Sequence, residues 1–130
     1  MTIDYADLIG VPFVYNGRDA NSALDCYGLV KELHRRRGIE LPDYHTPKGD
    51  APTIAAIMAA GKVLWRPTEL QPGSVMLMRL GQYYWHVATY LGDDEFIHTS
   101  EMTGGVCVER LHTWINRIEG YYEYAGTPQP

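Results

Sequence analysis

One break in texture constrains this chain more than any other feature it has. Before about Val63 the apolar residues recur at helical spacing, and after it they fall into short, β-rich runs divided by glycine turns. The runs are Val75–Leu80, Trp85–Leu91, Phe96–Thr99 and Gly105–Arg110. Turn signals at Gly81-Gln82, Gly92-Asp93-Asp94 and Thr103-Gly104 separate them. A short helix around Leu111–Asn116 and a closing strand over Gly120–Ala125 finish the chain. Helices first and a meander of strands afterwards is the α+β pattern, since a parallel sheet needs strands and helices in alternation.

The first half predicts three helices. One runs from Thr2 to Leu8, with Thr2 as cap and Gly10 beyond its end. An extended segment follows, turning at Asn16-Gly17. The main helix starts near Asp25-Cys26 and ends at Arg37. It carries Cys26, Leu29, Val30 and Leu33 on one face and positive charge in its last turn, and Gly38 stops it. Gly38 to Asp50 predicts a loop. A second helix then opens with Asp50 as cap and Pro52 in its first turn, bears an Ile54, Ile57 and Met58 stripe, and closes at Gly61.

At 130 residues, positions 1–130 make a single domain, because two halves would each be too small to bury a core. A net charge of −5 argues against a partner bound through basic residues, so neither nucleic acid nor an anionic membrane surface is expected. No apolar run is long enough to insert across a bilayer. The opening residues lack the basic and then apolar regions of a signal peptide, which predicts synthesis in a cytoplasm without export by the general route. Two cysteines outside any CxxC pair give neither a disulfide scaffold nor a zinc ribbon.

Chemistry concentrates at Cys26. A cysteine at a helix N-terminus meets unpaired N–H groups and the positive end of the helix dipole, which favour thiolate. The adjacent Asp25 opposes this as a bare charge, so its carboxylate either caps the helix or meets a cationic group of a substrate. Two histidines complete the set. Alternation places His86, Ala88 and Tyr90 on one face of their strand and Phe96, His98 and Ser100 on one face of the next. A two-residue loop would send the histidines to opposite faces. A three-residue loop containing Gly92 pairs Leu91 with Glu95, sets His98 opposite Ala88 and brings it diagonal to His86. That register predicts a nucleophile, base and orienter: Cys26, His86 and His98. A zinc site of the same three residues fits their types, although no sequence-local ligand pair anchors it. Cys107, alternating with Val106 and Val108, is expected to pack or to sit as a half-exposed thiol. Surface positions are expected for His34, His45 and His112, and nothing is assigned to Arg18 and Asp19.

Leu24-Asp25-Cys26-Tyr27-Gly28-Leu29-Val30 resembles the nucleophile motif of the NlpC family of papain-like cell-wall peptidases, usually Asp-Cys-Ser-Gly-Leu-Val. Pro12-Phe13-Val14-Tyr15-Asn16-Gly17 is similar to that family's lead-in, Pro72-Gly73 to its Pro-Gly-Asp strand, and His86-Val87-Ala88-Thr89-Tyr90-Leu91-Gly92 through His98 to its histidine block. Together these cover roughly residues 8–125. The resemblance implies a papain-like fold with the nucleophile helix packed on a C-terminal antiparallel sheet. It also implies cysteine-peptidase hydrolysis of peptidoglycan stem peptides, without metal or cofactor. Asp25, Tyr27 and Tyr15 are the expected substrate-binding residues.

The run Arg36 to Tyr44 and the closing Val108 to Tyr122 look like the branch found in tail tips of long-tailed bacteriophages and gene-transfer particles. That implies a virion component which aids cell-wall penetration beside other tail-tip proteins, and a delivered enzyme needs no signal peptide. Three positions depart from the family pattern. Phe13 stands for a tyrosine and cannot hydrogen-bond, Ser74 for an aspartate and Tyr27 for a serine. Two other readings therefore stand beside the peptidase: a structural tail-tip protein with a vestigial site, and an acyl-transfer or amidase enzyme on the same scaffold.

Overall fold

The helix bearing Cys26 begins where a carboxylate caps the chain. Asp25 is extended, with φ −98° and ψ −176°, and its side chain accepts from the Gly28 N–H; α1 then runs Cys26–Arg35. Gly38, at φ +83°, ends the turn beyond it, donating to the Arg35 carbonyl. Cys26, Leu29, Val30 and Leu33 are all buried, as their spacing predicts, Leu29 and Leu33 in one core cluster and Cys26 and Val30 in another. The computed structural model describes residues 3–45, 64–81 and 83–126.

Ahead of α1, two short strands, β1 (Arg18–Asp19) and β2 (Ala23–Leu24), pair antiparallel. Behind it come β3 (Trp65–Pro67), β4 (Val75–Leu80), β5 (Tyr83–Gly92), β6 (Glu95–His98), β7 (Cys107–Arg110) and β8 (Ile118–Tyr124). They form one six-stranded antiparallel sheet in the order β3-β8-β4-β5-β6-β7. Val75, Leu77 and Val87 pack with Cys26, Tyr27 and Val30 of α1. Met76, Met78 and Ala88, their neighbours along the same strands, pack instead with Phe96 and Leu111. This is the α+β architecture that the sequence predicts, with the helix that bears Cys26 on a C-terminal antiparallel sheet.

Several expectations are corrected. The first helix is a single 3₁₀ turn, Ala6–Leu8, without a side-chain cap; Ile9 is already extended and Gly10 lies at φ +87°. Thr2 and the helix expected over Asp50–Gly61 lie outside the described residues. The short helix expected around Leu111–Asn116 is present as a 3₁₀ segment, Leu111–Arg117. Strands β1, β2 and β3 span two or three residues, too few for a periodic signal.

His34, expected at the surface, is 3% exposed, and its Nδ1 lies 2.8 Å from the Val30 carbonyl oxygen. Burial lowers its pKa to about 4 from the usual 6.5. The unfolded chain therefore takes up a proton that the folded one refuses, so stability present above pH 6.5 is lost as the pH falls toward 4. The loss attributable to this ring is on the order of 3 kcal/mol. Urea unfolding measured across that range should show a shallower pH slope for His34→Gln; parallel slopes would show that the ring is not responsible.

Candidate active site

Register settles how the histidines meet. Thr89 pairs with Ile97 and Tyr90 with Phe96, which continues to His98 opposite Ala88, as expected from the sequence. The closing device differs. Gly92 pairs with Glu95 across a two-residue Asp93-Asp94 turn, and a shift between Tyr90 and Gly92 restores the register that a bare two-residue loop would lose. Asp93 and Asp94 both take positive φ, 53° and 66°, as a turn of the type that suits hairpin twist requires.

The two rings are joined. His86 Nε2 lies 2.8 Å from His98 Nδ1, and both residues are buried. His98 Nε2 lies 2.5 Å from Oε2 of Glu109 on β7. A second strand-to-strand step thus ends the chain on a carboxylate, which sequence reasoning missed. The signal was present: β7 pairs antiparallel to β6 with His98 opposite Cys107, so Glu109 shares the face of His98 two residues along. Phe96 and Trp114 pack against the His98 ring, and Trp114 Nε1 donates to the other Glu109 oxygen at 3.2 Å.

The carboxylate fixes the direction of these bonds. It has no proton to give, so His98 donates from Nε2 and must accept at Nδ1 from the Nε2–H of His86. The remaining nitrogen of His86, Nδ1, then carries a lone pair. That atom is buried without a hydrogen-bond partner among the described residues. Burial holds the pKa of His86 well below the ordinary histidine value, and neighbouring His98 adds to the effect. At neutral pH the ring is an uncharged base.

Cys26, the first residue of α1, packs on the strand that carries His86, in one cluster with Val87. The β5–β6 ladder is paired from Thr89 to Gly92, and Val87 lies beyond it. The backbone N–H of Val87, within the peptide that follows His86, hydrogen-bonds the Cys26 sulfur, as does that of Tyr27. These contacts and Arg18 favour thiolate, but burial and the adjacent Asp25 outweigh them and push the thiol up to about 12. The helix terminus therefore does not by itself make a thiolate, in keeping with the expectation that Cys26 is paired with a base.

Of the two roles left open for Asp25, the structure shows the cap. The residue is 1% exposed, and its carboxylate receives the Gly28 and Asn16 N–H groups and a 2.6 Å bond from Arg18. Arg18 also bonds Asp43 and the Tyr44 carbonyl, so it ties the loop before α1 to the segment after it. Tyr27 is likewise turned inward, 3% exposed, with its hydroxyl donating to the Pro42 carbonyl and its ring against Tyr44. Both side chains are buried, whereas Tyr15 is partly exposed. It lines a cleft of about 510 Å³ with Phe13, Asn16, His45 and Glu101, and burial, with the Glu101 carboxylate adding to it, raises the pKa of its hydroxyl. Phe13, where the family pattern has tyrosine, packs edge-on against Tyr15.

Residues 10–122 match the NlpC/P60 family. The chain is 31% identical over 94 residues to the tail tip assembly protein K of Escherichia phage lambda, covering 68% of this chain and 47% of that protein. It is 31% identical over 101 residues to the murein DD-endopeptidase MepS/murein LD-carboxypeptidase of Escherichia coli K12, covering 77% and 48%. The chain thus spans about half the length of these curated relatives. Among solved structures, an NLP/P60-family lipoprotein-like protein of Staphylococcus aureus superposes with a TM-score of 0.66 at 22% identity, over 92% of this chain and 38% of that one. The NlpC/p60 domain of the peptidoglycan hydrolase SagA gives 0.57 at 20% identity, over 88% and 86%.

Proposed function

The chain belongs to the NlpC/P60 family, and from that premise we propose that it is a cysteine peptidase cutting peptide bonds in peptidoglycan stem peptides. The observation that carries this is the hydrogen-bonded chain Glu109–His98–His86, which leaves His86 Nδ1 buried without a hydrogen-bond partner among the described residues, on the strand whose next residue, Val87, packs with Cys26. Cys26 Sγ attacks the scissile carbonyl carbon as its proton passes to His86 Nδ1. The imidazolium then gives that proton to the leaving amine. Water, deprotonated by the same nitrogen, resolves the acyl-enzyme to a free carboxylate and restores the thiol. The Cys26 N–H at the start of α1 is one donor for the oxyanion. Tyr15 is proposed to line the substrate cleft, while Asp25, Tyr27 and Arg18 hold the nucleophile helix in place.

The likeness to the lambda protein supports a place in a virion tail tip, beside other tail proteins and against the host wall. Purified wall fragments incubated with the protein and analysed by mass spectrometry test the activity. A new amine and carboxyl terminus within a stem peptide is the expected product; fragments left whole would favour the structural tail-tip reading.

Glu109 acts through His98 rather than on substrate. Glu109→Gln keeps the shape but lets an amide N–H face His98, so the direction of the chain is no longer imposed. A fall in kcat of about 10- to 100-fold with KM unchanged is expected. That is smaller than the roughly 10,000-fold loss when a serine triad's carboxylate is made neutral, because His98 still holds His86. A change confined to KM would refute the assignment.

A further inference from the structure

We propose that His98, Cys107 and Glu109 form a binding site for a zinc-type divalent ion, and that an ion held there switches the peptidase off. The three side chains each offer one ligand atom, and those atoms all lie within 4.8 Å of one another. Cys26 and His86 are not part of this group, so the site differs from the Cys26, His86 and His98 set considered from the sequence. Its frame is rigid, because His98 and Cys107 are directly paired across β6 and β7 and Glu109 follows two residues along the same face.

The donor set points to zinc. One imidazole nitrogen, one sulfur and one carboxylate oxygen suit a borderline-soft tetrahedral ion, whereas magnesium and calcium take oxygen ligands. A tetrahedral zinc ion holds such ligands about 3.5 Å apart. The His98–Glu109 contact of 2.5 Å would have to open by about 1 Å, and Glu109, half-buried, has the freedom to do so. The supporting groups that metal ligands need are already in place. Trp114 donates to the second Glu109 oxygen, Thr103 hydrogen-bonds Cys107, and the other nitrogen of His98 is held by His86. The catalytic relay makes no use of Cys107, which leaves its thiol without a role in the reaction.

Switching follows from the direction of the hydrogen bonds and rests on the peptidase reading above. An ion on His98 Nε2 replaces the proton that Glu109 accepts. The N–H of His98 is then on Nδ1, which donates to His86 Nε2, and the proton of His86 moves to Nδ1. The base loses the lone pair that would receive the Cys26 proton.

Binding is tested apart from activity, in protein carrying Cys26→Ala so that the nucleophile cannot serve as a ligand. Cobalt(II) titration should give one bound equivalent with a thiolate-to-metal charge-transfer band, and zinc should displace it. Adding Cys107→Ser should abolish the band and weaken the affinity at least about tenfold, with circular dichroism unchanged. No binding at micromolar metal, or affinity indifferent to Cys107→Ser, would overturn the site. In protein that retains Cys26, zinc should inhibit hydrolysis, and Cys107→Ser should raise the half-inhibitory concentration by about tenfold or more. Equal inhibition of both proteins would overturn the switch and place the inhibiting ion at Cys26. The binding arm is readable even if wall fragments are not cleaved.

Discussion

Cys26→Ala is expected to reduce muropeptide cleavage by at least about 1,000-fold, to a residue set by binding and oxyanion donors alone. The size follows from chemistry that alanine cannot replace. Without sulfur there is no acyl-enzyme, and water would have to attack directly with only His86 to activate it. Stability should change little by comparison, because the side chain removed is small; a loss of about 1 kcal/mol is anticipated from the buried volume. Melting curves beside the digestion assay therefore separate the two. Cleavage that survives in a folded mutant would refute the mechanism, and loss of cleavage with loss of fold would call for Cys26→Ser as the cleaner variant. The high thiol pKa adds a second signature. Since Cys26 rests as a buried thiol, iodoacetamide should label the half-exposed Cys107 ahead of it.

Where the sequence carried a period, it placed the structure. The α1 stripe and the shared face of His86 and His98 both rest on helical spacing or alternation repeated over several residues, and β4 from Val75 rests on an apolar run that follows a Pro-Gly turn. What escaped was set by contacts between distant segments. Glu109 joins the site only because β7 folds back on β6, and Arg18 matters only because a two-residue strand brings it to Asp25. Asp25 and Tyr27, chosen for a substrate, are turned inward because the nucleophile helix needs a cap and a packed flank before it can present Cys26. Helix position likewise suggested a thiolate, but the cost of burying its charge is larger than the gain from two N–H groups and the helix end.

Gly28→Ala sets two effects of opposite sign against each other at the start of α1. Helix propensity alone favours alanine over glycine by about 1 kcal/mol in a helix interior. Sterics oppose it. A Cβ at position 28 would lie 2.1 Å from the Gly17 carbonyl oxygen and 3.2 Å from an Asp25 carboxylate oxygen. The first neighbour is backbone and cannot swing aside. The Gly17 carbonyl also receives the Asp25 N–H at 3.2 Å and an Arg18 guanidinium N–H at 3.0 Å, so moving it disturbs the hydrogen bonds that cap the helix. Overpacking of this kind costs about 1–3 kcal/mol where neighbours can relax and more where they cannot. Loss of the Asp25 cap adds about 1 kcal/mol. The net expectation is destabilisation of about 3 kcal/mol or more, which for a domain of this size lowers Tm by roughly 10 °C. Activity should fall as well, because the loop that retreats from Gly28 is the one that holds Asp25, the residue before the nucleophile. Calorimetry of the variant decides between the two effects. A Tm equal to or above that of the unmodified protein would mean that propensity wins, and that α1 and the Gly17 loop are not in the close contact described.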